Sequence, residues 1–208
     1  MNVDSKAPCE LASIVHEKPL SGAYDEKLFG SDAGNTLWVK FSDHDGVVEW
    51  IGKFGTGGSA SARVDKVSEP DKFLISAGGF GYLVDATKRE LLNHHSEPFT
   101  QDVAYDSKTN RFIIADCVRL RLVESGKVVW SSKRIALDGI RDLKIEGRLL
   151  KGLAMTDYVG ADHTESESSF SLDLDTLEVN CPVDFSSWDA AATATSPAKV
   201  SKPWWKFW

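Results

Sequence analysis

The chain has 208 residues, a net charge of −7 and a 42% hydrophobic fraction. A chain of that length makes one compact domain, or one domain with a tail, and buries about two thirds of its surface without help from a disulfide or a metal. The acidic balance speaks against a general nucleic-acid binder and against electrostatic docking on an anionic membrane, and the hydrophobic fraction against a largely disordered chain.

The start, Met1 to Lys6, carries no basic region leading into an apolar run, so no cleaved signal peptide is expected. No stretch reaches 18 consecutive apolar residues, so no transmembrane helix is expected. Cys9, Cys117 and Cys181 are odd in number and lack Cys-x-x-Cys spacing. They read as reduced cysteines of a cytoplasmic protein.

Residues 1–34 form an N-terminal segment. Its helix candidate, Glu10 to Lys27, is interrupted by Pro19 and Gly22. From Asn35 short apolar runs alternate with turn residues. Leu37–Phe41 and Val47–Ile51 flank Asp43-His44-Asp45-Gly46 and predict a hairpin. The same turn resembles the opening of a calcium loop, but its twelfth position is Phe54 rather than glutamate.

An internal repeat follows. Val64–Leu91 aligns with Val103–Trp130 at an offset of 39 residues, Phe73-Leu74-Ile75-Ser76 over Phe112-Ile113-Ile114-Ala115. Each copy reads as four short strands. A third copy begins at Leu143-Lys144-Ile145 and is interrupted by a polar insertion, Asp157–Ser168, expected to be a long surface loop. The hairpin Trp38–Trp50 matches the second half of a unit. A period near 40 with four strands per unit resembles the blade of a β-propeller, because one four-stranded sheet cannot bury both faces alone and a stack of sheets can. The expected fold is therefore all-β: a propeller-like array of about three to four four-stranded antiparallel units over 35–182, with short helical segments at the termini. Residues 183–208 are expected to hold a short helix near Ser186–Ala194, a linker through Pro203 and an aromatic end.

Few residues suggest chemistry. His94 and His95 are adjacent and point different ways on a strand. Gly55–Gly58 and Gly78–Gly81 lack a following Gly-Lys-Ser/Thr and read as tight turns. Cys117 reads as a small core residue, and Asp102, Asp116, Asp138 and Asp142 as dispersed carboxylates. No enzyme signature rises above background, and neither a cofactor nor a metal site is expected. The binding candidates are Asp162, His163 and Glu165 in the insertion and Trp204, Trp205, Phe207 and Trp208 at the C-terminus. Left in water, those four rings would be a sticky patch. They have three placements: back on the protein's own body, on a partner, or at a membrane interface.

The repeated hairpins resemble those of small bacterial proteins, some of which act as immunity proteins that neutralise a co-inherited toxin. That resemblance implies a non-catalytic cytoplasmic module for a protein partner, a basic one given the acidic charge. The alternatives are a small hydrolase using metal or acid/base groups, and a structural or assembly subunit.

Overall fold

The computed structural model describes residues 11–17, 19–20, 22–30, 34–43, 45–97, 99–159 and 164–187. These form sixteen strands: β1 (Ala12–Val15), β2 (Asp25–Phe29), β3 (Thr36–Ser42), β4 (Val48–Gly55), β5 (Ala62–Lys66), β6 (Lys72–Ala77), β7 (Phe80–Asp85), β8 (Glu90–His95), β9 (Asp102–Asp106), β10 (Arg111–Ala115), β11 (Leu120–Glu124), β12 (Lys127–Ser131), β13 (Ile140–Glu146), β14 (Leu149–Val159), β15 (Thr164–Asp173) and β16 (Val179–Asn180). They make four four-stranded sheets. Three are simple antiparallel meanders, β5 to β8, β9 to β12 and β13 to β16, and the repeat of 39 residues is their sequence signature. The all-β, propeller-like array of blades is the observed architecture.

Alternation along each strand explains how the sheets stack, since successive side chains face opposite ways. Phe73 and Ile75 of β6 join a core with Val39, Phe41, Trp50 and Phe54 of the first sheet. Leu74, between them, joins Val103, Phe112 and Ile114 of the third. Ile113 and Ala115 face the other way, onto Ile140, Leu150 and Phe170 of the fourth. Three apolar cores thus join neighbouring sheets in chain order, and among the described residues none joins the fourth sheet to the first. The fourth sheet instead carries ion pairs, Arg141–Glu167 and Lys151–Glu146, on side chains that stay partly exposed.

Three expectations are corrected. Residues 10–27 are not helical where described. Ile14 and Val15 are β-branched and β1 pairs with β3, while β2 adds to β4 in parallel, Asp25 opposite Trp50 and Phe29 opposite Phe54. The first sheet, in the order β1-β3-β4-β2, is therefore not wholly antiparallel, and the hairpin Trp38–Trp50 supplies its two central strands rather than the second half of a unit. The insertion is not a loop either: β14 and β15 run through it as a hairpin, Tyr158 opposite Glu165 and Val159 opposite Thr164. Thr164 to Ser169 is polar throughout, so the sequence carries no apolar alternation to mark the strand. At the C-terminal end, Ser186 and Ser187 begin a helical turn at the limit of the described residues.

Candidate functional site

Strands β5, β9 and β13 are the inner edges of their sheets, and their first residues meet at one end of the row. The repeat places Arg63, Asp102 and Arg141 at equivalent positions, 39 residues apart. Asp102 is 2% exposed. Its Oδ1 accepts from the Val103 N–H (2.7 Å) and the Ser61 hydroxyl (3.3 Å), and its Oδ2 from the Leu143 N–H (2.8 Å). Arg63 Nη1 donates to both oxygens, at 3.2 and 3.0 Å, while its Nη2 donates to the Val103 carbonyl at 2.8 Å. One carboxylate therefore ties three sheets together. Burial opposes the charge on Arg63, but Asp102 and Asp65 outweigh it and hold the guanidinium above its usual pKa. Such a pair is costly to break because the survivor is left charged in a dry place.

Around this pair opens a cavity of about 400 Å³, lined by Ser61, Gln101, Asp138, Met155 and others. The carboxylates at it outnumber the cations. Arg141, also on its wall, is taken by Glu167 through a two-pronged pair at 2.6 and 2.5 Å and by Asp142 at 2.7 Å. Asp142 sits at the bulge of β13 with φ 58°. Asp138 lies beside the Cys117 thiol, which also accepts from Gln101 Nε2 at 3.4 Å. Burial and the neighbouring carboxylates push the Cys117 thiol up, so it stays protonated and is a poor nucleophile.

The loop from β8 to β9 rises next to the cavity, and both its ends are clamped. Thr100 Oγ1 bonds His95 Nε2 (3.2 Å) and the Glu97 carbonyl (3.1 Å), and Gln101 N–H bonds the Ala115 carbonyl at 2.7 Å. The turn glycines make this approach possible: a Cβ on Gly79, at φ 89°, would lie 2.0 Å from the Thr100 carbonyl oxygen. Between the clamps stands Phe99, 82% exposed and with φ 66°, a region bulky residues seldom occupy.

At the opposite end of the same strands, Asp106 is gripped by Arg148 at 2.7 and 3.1 Å and by the Thr109 hydroxyl. Burial works against its ionisation, yet Arg148 and Thr109 hold it below the usual carboxylate range. Ser68 and Ser107, again 39 residues apart, bond each other beside it.

The predicted site residues are placed as follows. Trp204, Trp205, Phe207, Trp208, Asp162 and His163 lie outside the described residues. Glu165 is a β15 residue, and only its backbone pairing is described. His94 and His95 do point apart: His95 is buried, and burial lowers its pKa, while His94 is exposed. Asp43 closes the β3–β4 turn by accepting from the Asp45 and Val47 N–H groups, at 2.9 and 2.8 Å. Asp116 accepts from Val118 and Arg119 N–H and pairs with Arg121. Among the described residues, no group of three or more His, Cys, Asp or Glu could hold a metal, and no helix is long and apolar enough to cross a membrane. Phe99 was not legible as a site residue: a lone Phe after Glu-Pro carries no pattern. Extending the 39-residue alignment by one position sets Arg63 over Asp102, and one further step of 39 reaches Arg141.

No protein-family model matches the chain, and no curated protein matches it by sequence. Among solved structures it is similar to the WD40 domain of Pan2 from Neurospora crassa, with 12% identity and a TM-score of 0.48 over 74% of this chain and 50% of that one. It is also similar to BamB from Moraxella catarrhalis, with 12% identity and a TM-score of 0.38 over 74% and 51%. The chain spans about half the length of each.

Proposed function

We propose that this chain is a non-catalytic protein-interaction module. Its docking face is the end of the sheet row where β5, β9 and β13 begin, and the partner it takes there is basic. Phe99 carries the reading, as an exposed ring held in a left-handed backbone on a loop clamped at both ends. Such a conformation costs on the order of 1–3 kcal/mol, and surroundings that maintain it are typical of functional positions. Large aromatic anchors beside a cavity are what binding hot spots use. The cavity lining, with Asp102, Asp138, Asp142 and Glu167 against Arg63 and Arg141, is acidic on balance and suits a lysine or arginine side chain.

Within that class we favour an immunity protein that neutralises a co-inherited basic toxin, acting in the cytoplasm. The acidic net charge and the unpaired thiols of Cys117 and Cys181 support this choice. The test is affinity capture from the protein's own cells, with the wild type and Phe99→Ala side by side. One basic protein should be retained by the wild type and lost at least about tenfold by the variant, the size of a single hot-spot contact. Identical captured sets from the two would reject this docking face. The immunity role is checked separately, by whether co-expression protects cells from the product of the neighbouring gene.

A further inference from the structure

The outer edge of the fourth sheet is open along most of β15. We infer that residues 165–169 are a strand-addition site: an extended segment of the partner, bearing lysine or arginine, pairs antiparallel with them. The inference rests on reading the chain as an interaction module for a basic protein, and it adds how that protein is held.

Three observations meet here. The first is which backbone groups are free. The Asp173 N–H turns outward, to the Glu178 carbonyl, and the Leu174 N–H inward, to the Arg148 carbonyl just ahead of β14. Backbone groups alternate in direction along a strand, so those of Glu165, Glu167 and Ser169 also face outward. β16 covers only Ser171 and Leu172, which stand opposite Asn180 and Val179. It goes no further because Cys181 turns in to the Ile135 carbonyl and Pro182 has no N–H to pair. Among the described residues, nothing pairs with the outward main-chain groups of Glu165, Glu167 and Ser169.

The second is that nothing blunts this edge. Bulges, prolines and lysines are what keep exposed edges from pairing. β8 and β12 each carry a bulge, at Leu92 and Val129, and the two occupy equivalent places in the repeat: Asn93 and Leu91 stand opposite Leu83 and Val84, Trp130 and Val128 opposite Leu122 and Val123. β2 has Lys27 at its centre. β15 begins Thr-Glu-Ser-Glu-Ser-Ser, without lysine, proline or glycine, and the bulge of its hairpin falls on β14, at Thr156. The open lane is about 17 Å long, and up to about six main-chain hydrogen bonds can form along it.

The third is charge and place. Thr164 to Ser169 holds two glutamates and no cation. Glu167 shares the guanidinium of Arg141 with Asp142, so one carboxylate charge there is uncompensated. Lys144 and Lys151 stand opposite each other at the end that β16 covers, since Lys151 pairs with Ser171. A second copy fits worse than a basic segment: antiparallel registers centred on Ser166 or Glu167 set glutamate against glutamate, and like charges directly opposite are unfavourable. Glu167 also lines the cavity beside the Arg63–Asp102 pair, so a strand laid here is continuous with the proposed docking face.

The experiment uses the full chain, isotope-labelled for NMR, and a blocked peptide as the probe, acetyl-Val-Lys-Val-Lys-Val-Lys-Val-amide. In the free chain the Glu167 and Ser169 amides should exchange rapidly with solvent. Saturating peptide should slow both at least about tenfold, because a paired amide exchanges only when the pairing opens. The same peptide N-methylated throughout, or with glutamate in place of lysine, should bind at least about tenfold more weakly. Ser169→Pro removes one outward N–H and no bond to β14, so circular dichroism should be unchanged while the peptide is lost by a similar factor. Should that variant fail to fold, the N-methylated peptide decides the matter on the wild type. Unchanged exchange at about 2 mM peptide, protection confined to other amides, or equal binding of either control peptide would each overturn the inference. So would slow exchange of these two amides in the free chain, which would mean that the lane is already filled by the chain itself or by a second copy. Phe99→Ala should bind the peptide as the wild type does, so failure of the Phe99 face and failure of the lane are separately visible.

Discussion

The first and second sheets meet through rings. Phe41 meets Phe73 edge-on at 6.0 Å, and Tyr82 tilts against Phe54 at 5.3 Å while its hydroxyl donates to the Gly55 carbonyl; within the first sheet Trp50 stacks on Phe41 at 4.1 Å and Phe29 on Phe54 at 5.0 Å, backing those two rings. At the inner ends of the second, third and fourth sheets an ion pair holds the joint, Asp102 with Arg63, reinforced by backbone N–H groups of β9 and β13. The difference follows from the sequence. Where the 39-residue repeat is kept, one repeat position can be spent on charges that face each other from neighbouring sheets. The first sheet has no such register, because β2 joins it in parallel, and it is joined mainly by buried rings, with Tyr82 and Trp50 adding hydrogen bonds and Arg89–Asp25 an exposed ion pair at the rim. Repetition thus permits polar specificity, and its loss is offset by large side chains.

The largest expected effect is at the aromatic joint. Trp50 is 1% exposed, and its Nε1 donates to the Ala86 carbonyl of the next sheet at 3.0 Å. Trp50→Ala should cost about 4 kcal/mol, from lost transfer energy, the cavity left behind and one unsatisfied carbonyl. Urea unfolding followed by circular dichroism measures it. A loss below about 1 kcal/mol would mean that the first sheet is not joined to the second as described.

At the polar joint the informative quantity is a difference between variants. Asp102→Ala strands Arg63 and three other donors, and should cost about 3 kcal/mol, the low end for a broken buried pair because Arg63 is a quarter exposed. Asp102→Asn keeps acceptor capacity and should cost clearly less. Replacing both members, Arg63→Met with Asp102→Leu, should recover much of the loss, as apolar substitutes for buried pairs often do. If the double variant is no better than Asp102→Ala, the joint depends on its hydrogen bonds to Val103 and Leu143 rather than on charge.

Much of this architecture was legible in the sequence. The offset of 39 predicted the second and third sheets strand by strand, because each strand alternates apolar residues for two buried faces and each turn has its Asp, Asn or Gly. The first sheet was not legible beyond its central hairpin. A parallel partner leaves no local turn signal, and Glu10 to Lys27 was too short and too mixed to separate helix from strand. The long β14–β15 hairpin was hidden because Thr164 to Ser169 has no apolar side. The site was less legible than the fold. Asp102 is one of 31 acidic residues until the topology sets Arg63 beside it. Phe99 gains meaning only from its exposure and backbone angle.

The ion pair at the far end of the inner strands gives a smaller and pH-dependent effect. Asp106 is held below its ordinary pKa, largely by the Arg148 fork working against burial. A carboxylate depressed in the folded state adds stability that is fully present above its unfolded pKa, about 3.9, and is lost as the pH falls through the folded value. Arg148→Ala should therefore cost about 1 kcal/mol at pH 7, where the partly exposed arginine limits the gain, and the gap from the wild type should narrow below about pH 4. Urea midpoints of both proteins at pH 7 and pH 3 decide this. An equal gap at both values would assign the loss to packing of the arginine stem.

The smallest expected change has the opposite sign, and it separates structure from function. Phe99 contributes little to any core, since its ring is in water, and its φ of 66° is a cost to the fold. Glycine adopts that conformation without strain, although it also raises the entropy of the unfolded chain, so Phe99→Gly should stabilise the protein by only about 0.5 kcal/mol. The clamps at Thr100 and Gln101 do not involve the ring and should survive, leaving the spectroscopic signature of the fold unchanged. Partner binding should fall at least about tenfold in the same variant. A residue kept for the fold would show the reverse, a loss of stability with binding intact. Gain in one measurement with loss in the other is what a strained docking residue requires, and neither joint between the sheets can produce that combination.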